Sequence, residues 1–149
     1  MDYEQYKSEV KKIEKANGEH LATFKKWLKD KKLAEKTINN HVNNVDFYIN
    51  HYLNYYDPQE VKAGCYCIDR FLGNFFIRKA MWSSCPQIKA NATSIKKFYS
   101  CMLEHGLVEK DDYSNLCEEI KEKMDGWLET MRRYEEDMDA IDMFDDLID

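Results

Sequence analysis

Apolar residues recur every three to four positions in five separate stretches, and this period constrains the fold more than any other feature of the chain. The clearest stripe is Ile38, Val42, Val45, Ile49, Tyr52, Leu53 and Tyr56, set opposite Lys36, Asn39, Asn40, Asn43, Asn44 and Asn50. Side chains spaced this way share one face of an α-helix and must be buried together. The punctuation agrees. With 5 glycines and 2 prolines in 149 residues, there is little material for the tight turns of a many-stranded sheet.

The spacing predicts a first helix over residues 3–29, with a break at Asn17-Gly18, a pair that favours turns and helix ends. A second helix is predicted over 35–55, closed by Asp57-Pro58 because the residue before proline disfavours the helical region. A third covers 68–81. A fourth covers 87–105, entered through Ser83-Ser84-Cys85-Pro86 and closed by Gly106. A fifth, over 113–134, carries Leu116, Ile120, Met124, Trp127, Leu128, Met131 and Tyr134 on one face. The expected fold is all-α: a bundle of four helices with an appended amphipathic helix and a tail.

Several chemistries find no support. There is no glycine-rich phosphate loop, no nucleophile elbow and no H-E-x-x-H. The 5 cysteines are odd in number and irregularly spaced, with no C-x-x-C, so neither a disulfide framework nor a zinc knuckle is read from them. No catalytic residue, metal or cofactor is therefore assigned. No run approaches the ~20 apolar residues of a membrane span. The first residues lack the basic and apolar regions of a signal peptide, so a cytoplasmic, membrane-free protein is expected.

Charge is divided along the chain. Residues 1–110 hold 18 Lys+Arg and 13 Asp+Glu, a net +5; residues 111–149 hold 4 and 15, a net −11. Residues 136–149 mix acids with Met138, Ile141, Met143, Phe144, Leu147 and Ile148, which predicts a disordered acidic tail able to fold against a basic or apolar groove. An inert, solubilising tail is the plainer alternative.

Two helix starts are rich in cations, amides and hydroxyls. One holds Lys29, Lys31, Lys32, Lys36, Thr37, Asn39, Asn40 and Asn43; the other Lys89, Asn91, Thr93, Ser94, Lys96 and Lys97. Lysine neutralises phosphate, asparagine can read adenine bidentately, and hydroxyls reach bases or phosphates. The same composition also suits an ordinary solvated helix face.

The segment from Phe24 to Val45, with Phe24-Lys25-Lys26-Trp27-Leu28 followed by Leu33-Ala34-Glu35-Lys36-Thr37, resembles the opening of the core-binding domain of tyrosine recombinases, the phage integrase family. Ala92-Thr93-Ser94-Ile95-Lys96-Lys97-Phe98-Tyr99 and Met102 to Val108 are similar to that domain's fourth helix and its glycine close. The resemblance spans roughly residues 20 to 115. It implies a SAM-like orthogonal bundle that forms one arm of a clamp around double-stranded DNA, with the second and fourth helices facing the major groove. The matching positions are Lys36, Thr37, Asn40 and Asn44, then Lys89, Thr93, Ser94 and Lys97, with Lys32 beside them. The family's His-x-x-Arg is missing: Thr23, Asn44, Asn54 and Val108 stand three positions after the four histidines. The ~35 residues after the bundle are too few for the family's catalytic domain, so strand cleavage is not expected.

The implied organisation is a helical extension over 1–18, the SAM-like domain over 19–112, an amphipathic helix over 113–135 and the tail over 136–149. The leading expectation is a non-catalytic DNA-binding module, with a separate recombinase catalytic subunit as a conceivable partner. The alternative is a helical interaction module in which Trp127, Leu128, Met131 and Tyr134 meet a partner or a second copy.

Overall fold

In the computed structural model, which describes residues 2–148, the first helix α1 (Tyr3–Asp30) runs through Asn17-Gly18 without a break. The reason is tertiary. Asn17 is buried, and its amide donates to the Ile49 carbonyl at 3.3 Å and to Asn50 Oδ1 at 2.7 Å. It therefore does not compete for α1's own backbone. Gly18 faces open space, so it costs only the helix-propensity penalty of about 1 kcal/mol. Residues 2–18 are thus no separate extension: Ile13 is buried, and the Tyr6 hydroxyl donates to the Asn54 carbonyl at 2.7 Å. The N-terminus is closed by a capping box, Asp2 accepting from the Gln5 amide and Gln5 Oε1 from the Asp2 amide.

A short link turns on Lys32, whose φ is +62°, and leads into α2 (Glu35–Asp46). This helix continues without interruption into a π-helical segment, Phe47–Tyr52. A 3₁₀ turn over Val61–Tyr66 follows, in a stretch for which the spacing predicts no element. Next come α3 (Ile68–Arg70), a second π segment (Phe71–Phe75) and α4 (Phe76–Lys79), which together form the expected third helix. The two π segments pack ring to ring. Tyr48 and Phe71 have centroids 4.8 Å apart, and Tyr52 and Phe75 are also 4.8 Å apart. Wide helical turns give such bulky side chains room to interleave.

The 3₁₀ turn is pinned from inside. Tyr48 donates its hydroxyl to the Gly64 carbonyl and Tyr99 to the Val61 carbonyl, each at 2.6 Å. A Cβ on Gly64 would lie 1.9 Å from the Tyr99 hydroxyl, so only glycine fits this close approach.

Helix α5 (Cys85–Glu104) begins on a Ser84 cap that accepts from the Gln87 amide at 3.2 Å. It ends as expected at Gly106, φ +74°. There the Leu107 amide bonds to the Met102 carbonyl and the Gly106 amide to that of Leu103, the paired pattern of a Schellman close. Helix α6 (Lys110–Ile148) is one continuous rod of 39 residues, about 58 Å long at the usual rise. The tail expected to be disordered over 136–149 continues this helix through residue 148; Asp149 lies outside the described residues. The fold is thus an all-α bundle, helical throughout with no strand among the described residues. No helix among them is long and apolar enough to cross a membrane.

Candidate nucleic-acid interface

Helices α2 and α5 pack side by side, and one buried hydroxyl joins them. Ser94 is fully buried. Its Oγ accepts from Asn44 Nδ2 at 3.0 Å and lies 2.7 Å from His41 Nδ1. The Ser94 hydroxyl donates to Nδ1 where that nitrogen is bare and accepts from it where it carries the proton. Burial, followed by the nearby Lys97 ammonium, holds the His41 pKa below its ordinary value, which favours the neutral ring in either tautomer.

This tie corrects one expected contact. Ser94 reaches no solvent and so cannot touch DNA; it fixes the spacing of the two helices instead. Its burial had a sequence signal, because Asn91, Ser94, Phe98 and Cys101 step by three and four within the α5 stripe and are all buried. Asn44 is half-buried and spends one amide hydrogen on Ser94. The other positions reach the surface. Lys32, Lys36, Thr37 and Asn40 are exposed at the start of α2, and Lys89 and Thr93 on α5, while Lys97 is half-buried beside His41. Thr93 donates to the Lys89 carbonyl at 3.1 Å, leaving its oxygen as an acceptor. Among the described residues none of these lysines lies in an ion pair.

The expected partner-binding residues need a larger correction. Trp127, Leu128 and Met131 are buried against the body, and Tyr134 is half-buried beside them. Trp127 donates its indole N–H to Asp69 Oδ1 at 2.7 Å, with Lys123 a further 3.8 Å from Asp69 Oδ2. Its ring lies over Gly73, where a Cβ would come within 2.8 Å of Cδ1. The stripe on α6 had two ways to be buried, and the body supplies the one it uses. Near its start, Asp112 accepts from the Tyr66 hydroxyl and the Glu109 amide. Those two bonds, the Tyr66 bond foremost, hold its carboxyl below the usual range, while the same bond pushes Tyr66 up to about 12.

Burial pushes the Cys65 thiol up to about 12 and that of Cys101 to about 11, so neither is a ready thiolate at neutral pH. No group of three or more His, Cys, Asp or Glu among the described residues is placed to hold a metal ion. Sequence reasoning missed a cleft between α1 and α2, of about 370 Å³, lined by Lys25, Lys29, Leu33, Glu35, Ile38 and Asn39. The i, i+4 spacing of Lys25 and Lys29 was its only trace in the sequence. No protein-family model matches this chain, and no curated protein or solved structure matches it either.

Proposed function

We propose that the body of the protein binds duplex DNA, without chemistry of its own, across the adjoining polar faces of α2 and α5. In this reading α1, α2, the α3–α4 run and α5 are the four helices of a SAM-like bundle like that of the recombinase core-binding domain. Any strand chemistry is left to a separate catalytic subunit. The observation that carries the reading is the Ser94 tie, which sets the exposed Lys36, Thr37 and Asn40 alongside Lys89, Thr93 and Lys97. Unpaired lysines next to amides and hydroxyls match phosphate contact combined with base-edge contact.

Fluorescence anisotropy of the full chain with a labelled duplex tests the proposal. The full chain is needed because Trp127, Leu128 and Met131 belong to the core. Four phosphate contacts would give log K a slope of about −3.6 against log salt. Lys36→Ala and Lys97→Ala should each reduce that slope by about 1. No binding at low salt, or a slope unmoved by both substitutions, sinks the proposal.

A helical interaction module remains the second reading. It is favoured by one observation: Ile141, Met143, Phe144 and Leu147 are all exposed on the last turns of α6.

A further inference from the structure

Two blocks of opposite charge stand out in this protein, and only the start of the acidic one, at Glu135, Asp137 and Asp139, shares clefts with cations of the same chain, Arg78 and Lys79. Residues 25–36 hold Lys25, Lys26, Lys29, Lys31, Lys32 and Lys36 against Asp30 and Glu35, a net +4; residues 135–149 hold eight carboxylates and no cation. Among the described residues, no member of either block lies in an ion pair. Each block also has an apolar component. The cleft between α1 and α2 is lined by Lys25, Lys29, Glu35 and Asn39 with the half-buried Leu33 as its accessible apolar part, Ile38 beneath it being buried. On the last turns of α6, Met138, Ile141, Phe144 and Leu147 follow one another at steps of three, 41%, 51%, 61% and 82% exposed.

The two surfaces do not meet within one chain. Helix α6 packs mainly on α5 and on the elements between residues 61 and 75. Past Gly126 it contains neither glycine nor proline, so nothing in it favours a kink that would turn its acidic end back towards α1. Pairing two acidic ends with each other would set eight carboxylates against eight. The lysine-bearing α1–α2 cleft complements such an end in charge and in its apolar part.

We propose that the acidic end of α6 docks in trans into the α1–α2 cleft of a second copy, Phe144 and Leu147 covering Leu33 while Asp145 and Asp146, which flank that apolar face, reach Lys25, Lys29 and their neighbours. Two copies exchanging ends in this way form a closed, reciprocal dimer. The association requires no DNA and stands independently of the function proposed above.

Sedimentation equilibrium of the full chain without DNA tests the inference. At about 50 mM salt and roughly 200 µM protein, a mass near twice that of the chain is expected. Raising salt to about 500 mM should weaken association at least about tenfold, since exposed charges are then screened. A Lys25→Glu/Lys29→Glu variant and an Asp145→Lys/Asp146→Lys variant should each be monomeric, with circular dichroism reporting that each retains its helix content. Mixing the two should restore a species of twice the chain mass, because the intact end of the first then meets the intact cleft of the second. A monomer at low salt overturns the proposal. So does a dimer indifferent to both charge reversals, which would place the contact elsewhere, or a mixture that stays monomeric. DNA affinity is read in a separate experiment, so the failure of one proposal leaves the other standing.

Discussion

Residues 110–134 and residues 135–147 belong to one helix and both carry apolar side chains at helical spacing, the first among acids and five cations and the second among acids alone, yet the rest of the chain buries only the first stretch. Trp127 and Met131 are 2% and 1% exposed, whereas Phe144 is 61% exposed. The difference lies outside the helix. Asp69 and Gly73 provide an acceptor and a flat seat for the Trp127 indole, and nothing comparable faces Phe144. Periodicity announces that a face needs covering; the shape and polarity of the opposing surface decide whether it is covered within the chain.

The largest effect expected in the body is at Gly64. Gly64→Ala would drive a methyl into the Tyr99 hydroxyl and disturb the carbonyls held by Tyr48 and Tyr99. Overpacking together with lost buried hydrogen bonds should cost about 3 kcal/mol or more. Urea unfolding would show this as a large drop in midpoint, and an unchanged midpoint would mean that the close approach is wrong.

The comparison within α6 can be broken directly. Trp127→Ala should cost about 3–5 kcal/mol, through a cavity and an Asp69 deprived of its donor. In the monomer at high salt, Phe144→Ala should stay within about 0.5 kcal/mol. Similar losses at the two positions would show that both stretches are packed and remove the distinction. Gly73→Ala sharpens the test, because it perturbs only the seat of Trp127 and should lower stability while leaving the last turns of α6 unaffected.

The sequence shows most where burial follows one short period. The starts and ends of α2 with its π-helical continuation to Tyr52, the α3–α4 run and α5 lie within a few residues of their expected places, and the glycine close at Gly106 was legible from chemistry local to the turn. What could not be read depends on partners distant in sequence. Asn17 looks like a helix end until Ile49 and Asn50 receive its amide 32 and 33 residues away. The 3₁₀ turn over Val61–Tyr66 has no periodic signal of its own because hydroxyls from α5 and from the segment after α2 hold it. At the candidate interface, composition alone could not separate Thr93 from Ser94; only the steps of three and four that join Ser94 to Asn91, Phe98 and Cys101 set it on the buried side.

Those two neighbours supply a smaller test that separates contact from scaffold. Ser94→Ala should cost about 1–2 kcal/mol by leaving Asn44 and His41 without their shared partner. Thr93→Ala should move stability by no more than about 0.5 kcal/mol, and if α2 and α5 face DNA it should weaken binding. The reverse pattern, a stability loss at Thr93 and none at Ser94, would contradict the burial on which the interface is built.

The smallest effect expected is the pH response of His41, and its sign follows from the same tie. Burial and then Lys97 lower its pKa in the folded protein below the unfolded value of 6.5, so the unfolded chain binds the extra proton first. The contribution of His41 to stability is therefore complete above pH 6.5 and is lost as pH falls from there through the folded pKa. Protonation puts a hydrogen on both ring nitrogens, so that Nδ1 can then only donate to Ser94 Oγ. An NMR titration of the imidazole should give a midpoint below 6.5. Lys97→Met should raise that midpoint only partway, since burial is the larger cause. His20 is lowered as well, by burial against the opposing pull of Glu19, so unfolding at pH 7 and pH 5.5 is best compared between the native sequence and His41→Gln. The variant should lose less stability on acidification. An imidazole titrating at or above 6.5, with equal losses in both proteins, would show that neither burial nor Lys97 governs His41.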